Sequence, residues 1–166
     1  MFKKVCSVLS GLILTAMALI AAVLLVPNLF GCKNMAVLSG SMEPDIPVGS
    51  IVIARPVEAG TLEVGDIITY QLQGDTMVTH RITRILEEQQ QVITKGDAND
   101  VEDGDPVAYS RIVGKIVLHL PYLGFISIYA KTPLGIAVVC GVLIVLILLL
   151  FLPDVLQGKA KREPGN

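Results

Sequence analysis

The sequence predicts a mainly β domain, a small β-barrel or folded sheet, set between two transmembrane helices. Two long uncharged apolar runs stand toward either end of the 166-residue chain. Between them, short β-branched segments recur with turn residues at their ends, and no segment there has a helical period.

The first run, Val5 to Val26, holds 22 positions without a charge. At ~1.5 Å of helix per residue it covers a hydrocarbon core of about 30 Å. The second, Leu134 to Leu152, covers 19 uncharged positions. The expected organisation is an N-terminal anchor over 1–30, an extracytoplasmic β-rich domain over 31–133, a second span over 134–152 and a tail over 153–166. A cleaved signal peptide is the alternative for the first run, because Lys3-Lys4 supplies a charged start. Its apolar stretch exceeds the usual ~7–15 residues, however, and Pro27-Asn28-Leu29-Phe30-Gly31-Cys32 has no clear small-x-small site. Leu29-Phe30-Gly31-Cys32 approaches a lipoprotein pattern, but Phe30 is bulky where that pattern wants a small or β-branched residue. An uncleaved anchor is the reading adopted.

Charge gives the orientation. The stretch from Gly31 to Pro133 carries 8 Lys and Arg against 13 Asp and Glu. The other basic residues, Lys3, Lys4, Lys159, Lys161 and Arg162, sit in the flanking tails beside only Asp154 and Glu163. Basic flanks stay on the cytoplasmic side, so both termini are expected inside and the acidic domain outside the cell membrane. Lys33 and Lys131, at the outer ends, reduce the contrast. An acidic domain argues against nucleic acid as a partner. Cys6, Cys32 and Cys140 form no metal-ligand spacing, and two of them belong to the apolar runs.

Taken in order, Ser50 to Arg55 reads as a strand ended by Pro56, and Gly65 to Leu72 as the next, after a turn at Gly60. Gln73-Gly74-Asp75 marks a hairpin. Met77 to Leu86 alternates, with Val78, His80 and Ile82 on one face and Thr79, Arg81 and Thr83 on the other. His80 is therefore expected on the apolar face. Gln91 to Thr94 is a further short strand leading into an acidic loop, and Ser110 to Leu118 is another, with Gly114 a candidate bulge. Pro121 to Tyr129 is apolar with two tyrosines and a phenylalanine, and is expected along the bilayer surface.

The stretch with chemical potential is Ser39-Gly40-Ser41-Met42-Glu43-Pro44. Glycine and proline constrain the turn around Ser41, where backbone N–H groups can converge. Most serines on such turns are only structural, because a hydroxyl is a poor nucleophile without a base and an orienting group. His80 is a candidate base, although a lone histidine on an apolar face is more often a satisfied core residue. Asp97, Asp100 and Asp103, in the loop after Lys95-Gly96, are candidate acids. A calcium loop is disfavoured there: counted from Asn99, Val101 falls where a ligand belongs and Ser110 where the twelfth-position Glu should be.

Ser39-Gly40-Ser41-Met42-Glu43-Pro44, Gly65-Asp66-Ile67-Ile68-Thr69-Tyr70, Val78-Thr79-His80-Arg81-Ile82 and Lys95-Gly96-Asp97-Ala98-Asn99 resemble, in that order, the conserved boxes of type I signal peptidases. The resemblance covers roughly Leu38 to Val117 and includes a preceding anchor. Histidine rather than lysine at position 80 resembles the endoplasmic-reticulum-type branch, found in archaea, eukaryotes and some Gram-positive bacteria. The resemblance implies Ser41 as nucleophile, His80 as base and Asp103 as triad acid. Asp97 is then a supporting residue, and Ser39 an added donor in the oxyanion hole beside the Ser41 N–H. It further implies a serine endopeptidase that needs no metal or other cofactor, embedded in membrane lipid, cutting secretory preproteins after small-x-small sites. Substrate selection is expected from shallow apolar pockets near Met42 and Ile67. The competing expectation is a non-catalytic, membrane-tethered β-domain that binds a partner or serves as a scaffold.

Overall fold

The computed structural model describes residues 2–72, 74–129 and 132–160. Gln73 of the expected hairpin, Lys131 at an outer end, and residues 161–166 with Lys161 and Arg162 lie outside the described residues. The chain divides into a helical unit, holding most of its two long helices, and a β unit over Leu25–Ile128.

The long helices are α1 (Phe2–Leu29) and α3 (Pro133–Ala160). Lys4–Leu29 and Pro133–Phe151, with mean hydropathy 2.6 and 3.3, are long and apolar enough to cross a membrane. Such a helix bonds its own backbone internally, and its hydroxyls need acceptors of their own. Ser10 Oγ donates to the Ser7 carbonyl at 3.1 Å and Thr15 Oγ1 to the Gly11 carbonyl at 2.8 Å. α3 continues beyond Leu152, so the tail expected from 153 begins as helix.

The β unit is one seven-stranded antiparallel sheet built from β1 (Lys33–Ala36), β2 (Ile51–Arg55), β3 (Ile67–Gln71), β4 (Met77–Leu86), β5 (Gln91–Lys95), β6 (Val107–Ala108) and β7 (Ile112–Leu120). Its order is β1-β2-β7-β3-β4-β5-β6. β1 and β6 each pair with a single neighbour, which makes a folded sheet. These two were not legible as strands, being short and flanked by loop residues. The β3–β4 hairpin closes with the Leu72 N–H on the Thr76 carbonyl at 2.8 Å. Opposite β3, β7 pairs Gly114 with Thr69 and then Ile112 with Tyr70, leaving Val113 as the extra residue beside Gly114. Gly114 also answers a close approach: a Cβ there would stand 2.5 Å from the Arg55 carbonyl oxygen.

The β unit holds two apolar clusters. One gathers Leu62, Ile68, Tyr70, Ile82, Val92 and Val107. The other gathers Met42, Ile46 and Val52, with Ile67 and Ile116 packed against them. The apolar Pro121–Tyr129 segment contributes the short helix α2 (Leu123–Tyr129). α2 packs onto the β unit, with the Gly124 N–H on the Gly49 carbonyl at 2.8 Å. The Phe125 ring covers Gly49, where any Cβ would collide with it.

Candidate active site

Strand alternation puts His80 and Arg81, adjacent in β4, on opposite faces of the sheet. His80 faces inward and is 8% exposed. In register, β3 sets Ile68 opposite His80 and Tyr70 opposite Val78, while β5 sets Thr94 opposite Ile82. Tyr70 and Thr94 thus flank His80 diagonally, one on each neighbouring strand.

Asp103 reaches this face from the loop after β5. Its N–H bonds the Thr94 carbonyl at 2.8 Å, which turns the loop back over the strand. Its Oδ2 lies 2.6 Å from His80 Nδ1. A carboxylate at that distance favours the proton on Nδ1, leaving Nε2 as the basic nitrogen. The same Oδ2 accepts from Thr94 Oγ1 at 2.6 Å and from the Tyr70 hydroxyl at 3.2 Å. Burial pushes the Tyr70 phenol up from its ordinary value, so it keeps its proton and remains a donor.

The Ser41 turn is pinned from below and from one side. Met42 and Ile46 are buried, and the Ile46 N–H returns to the Met42 carbonyl at 2.8 Å. The Ser41 carbonyl accepts the Ala98 N–H at 2.9 Å. Gly96 presses against that carbonyl so closely that a Cβ would stand 2.6 Å from its oxygen. The segment after β5 therefore braces the serine turn. Ser39 Oγ and Ser41 Oγ are 3.4 Å apart. Among the described residues the Ser41 N–H has no acceptor, which leaves it available as a donor.

Ser39, Ser41, Met42 and His80 line one cleft of about 700 Å³, walled on its apolar side by Met35 and Val37. Ile67 packs against the buried cluster that contains Met42, and is not itself among the residues lining this cleft. A second cleft of about 550 Å³ also borders His80, along Tyr70, Asp103 and Arg111.

Asp97 takes a different partner from the one its sequence position implied. A residue just after Gly96 at a strand end is expected to bond N–H groups of its own loop. Instead both its oxygens accept from Arg81, Nε to Oδ1 at 2.8 Å and Nη2 to Oδ2 at 2.7 Å. Arg81 also reaches Asp45 Oδ2 at 2.6 Å and the Gly65 carbonyl at 2.9 Å. The hydrogen bonds that Arg81 donates to Asp97 raise the guanidinium's already high pKa further, so this cation is permanent. It ties the serine turn, the turn before β3 and the acidic loop together. Asp66 is likewise structural, accepting the Glu63 N–H at 3.0 Å and pairing with Lys115 at 2.6 Å.

Tyr70, Thr94, Arg81 and Asp45 were not singled out from the sequence. Thr94 and Tyr70 read as ordinary β-formers on apolar strands. The usable signal was that alternation sends both hydroxyl groups to a buried face, where polar atoms need partners.

No family model matches the chain. It is 37% identical over 89 residues to a protein named signal peptidase I W from Bacillus subtilis, a match covering 52% of this chain and 47% of that one. It is 36% identical over 107 residues to the signal peptidase complex catalytic subunit SEC11 of Scheffersomyces stipitis, covering 57% and 63%. The SEC11 subunit of Candida dubliniensis is 34% identical over 105 residues, with the same coverage of 57% and 63%. The chain thus spans between about half and just under two thirds of the length of the curated relatives it matches. Over that part of its length the chain is thus similar to proteins named signal peptidase I and signal peptidase complex catalytic subunit.

Proposed function

We propose that the chain is a membrane-bound serine endopeptidase that removes N-terminal signal peptides from secretory preproteins after small-x-small sites. Ser41 is the nucleophile, His80 the general base and Asp103 the orienting acid. Asp97 supports the loop, and Ser39 Oγ joins the Ser41 N–H in the oxyanion hole. The observation that carries this reading is the 2.6 Å contact between His80 Nδ1 and Asp103, at a histidine that shares a cleft with Ser41. The names of the relatives support the substrate class.

In this reading His80 Nε2 takes the Ser41 hydroxyl proton as Oγ attacks the scissile carbonyl carbon. Asp103 holds the imidazole and offsets its developing charge. The imidazolium then protonates the leaving amine, and water, deprotonated by the same nitrogen, releases the acyl group. The two apolar helices span the cell membrane with both termini cytoplasmic, and the β domain stands outside. Ser41 is 15 positions beyond Val26, so a precursor emerging from the bilayer meets the nucleophile at high effective concentration.

The test is co-expression with a secreted precursor. Ser41→Ala should accumulate full-length precursor while inserting and folding as the parent does, since a turn hydroxyl contributes little to stability. Processing at the parental rate by that variant would remove the enzymatic reading and leave the tethered binding domain. Orientation is tested separately, with an epitope placed after Asn166. Protease added to intact cells should spare it, and its loss would overturn the two-span topology.

A further inference from the structure

We infer that Thr94 and Tyr70 are positioning residues, whose hydroxyls hold the Asp103 carboxylate in the one rotamer that serves His80. The inference rests on the reading of Asp103 as the orienting acid and extends it to two side chains outside the triad.

Thr94 is fully buried and Tyr70 is 3% exposed. A valine and a phenylalanine would fill nearly the same space at no polar cost, whereas a buried hydroxyl without a partner costs roughly 1–3 kcal/mol. Both hydroxyls instead converge on one oxygen, Asp103 Oδ2, which also faces His80 Nδ1.

Proton counting assigns the roles. Thr94 has one hydroxyl proton, and its 2.6 Å contact with Asp103 claims it. The Tyr70 proton goes to Asp103 at 3.2 Å, while the Tyr70 and Thr94 hydroxyl oxygens stand 3.3 Å apart. Thr94 is the principal donor, and Tyr70 braces both partners from the opposite strand. Thr94 grips Asp103 a second time, through its carbonyl and the Asp103 N–H at 2.8 Å. Backbone and side chain of one residue thereby fix both the position of the acid and its rotation. Both hydroxyls are neutral, so they can orient the carboxylate without cancelling the charge that His80 needs when it becomes cationic. An arginine in the same place would cancel it.

The experiment uses the full chain in detergent with one peptide substrate containing a small-x-small site. Thr94→Val should lower kcat roughly tenfold or more, as expected for a lost hydrogen bond to a charged group, with KM within about twofold of the parent. Thr94→Ser, which keeps the hydroxyl, should restore kcat to within about threefold, and Tyr70→Phe should cost less than Thr94→Val. Proton NMR of the resting protein gives a readout that needs no turnover. The strongly downfield His80 Nδ1–H resonance expected of the parent should move upfield in Thr94→Val and exchange faster with water.

A purely structural hydroxyl would lower the melting temperature without moving that resonance. A folded Thr94→Val protein with parental kcat and an unmoved resonance, beside an inactive Ser41→Ala, overturns the inference and leaves the proposed function standing. An active Ser41→Ala overturns the proposed function instead, and the resonance then decides the positioning claim alone. Should Thr94→Val not fold, Thr94→Ala and Tyr70→Phe make the same comparison.

Discussion

On opposite faces of β4, His80 and Arg81 each meet an aspartate from the same loop, and the two pairs are built differently. The side chains of Asp103 and Asp97 are 21% and 17% exposed, so burial does not distinguish them. Their partners do. Asp97 is forked by a permanent cation through both oxygens, and its charge is consumed in the resting protein. Asp103 presents one oxygen to a titratable ring, with neutral hydroxyls as its other partners. A carboxylate that must answer a charge appearing during reaction is best surrounded by donors that carry none. One that holds a loop in place is best paired outright.

The comparison breaks most visibly at Asp103. Asp103→Asn keeps the shape, removes the charge and favours the wrong imidazole tautomer, so turnover should fall ~10⁴-fold, as in the serine-protease triad. Peptide turnover of a variant shown to be folded by its melt is the measurement. Activity within about tenfold of the parent would remove Asp103 from the triad.

Asp97→Asn should act on stability, with a loss of about 2 kcal/mol for a charge-assisted contact weakened at a partly buried site. Denaturant unfolding reads that loss, and turnover should stay within about tenfold of the parent. A folded but inactive Asp97→Asn would move the acid's role to Asp97. Asp45 shares the same guanidinium, but its side chain is 60% exposed, so Asp45→Asn should cost no more than about 1 kcal/mol. Asp100→Asn, at an exposed position with no ion pair among the described residues, should change neither quantity.

The smallest expected effect is alkaline. Because burial raises the Tyr70 phenol above 10.0, the unfolded chain loses this proton first. The associated stability is complete below the unfolded value and is lost as pH rises through the higher folded one. Tyr70→Phe lacks this component, so the stability gap between parent and variant should narrow above about pH 10. Unfolding curves on either side of that pH measure it, and a constant gap would mean that Tyr70 ionises as freely in the folded protein as in the unfolded chain.

The two apolar helices, five of the seven strands and the inward face of His80 were legible in the sequence. Each depends on a local quantity: an uncharged run of sufficient length, or an alternation that burial imposes along one strand. The serine turn was legible for the same reason, through Gly40 and Pro44. Asp103 and Asp97 could be named as candidates, but the sequence did not decide their partners. That choice followed from the path of the loop, set by the Asp103 N–H on Thr94, and from the β4–β5 register. Tyr70, 33 positions from Asp103, and Asp45, 36 from Arg81, join the site only because sheet and loop bring distant segments together. Local dihedral and burial preferences determine which face a side chain takes, whereas its partner across the face is decided by pairings that span the whole domain.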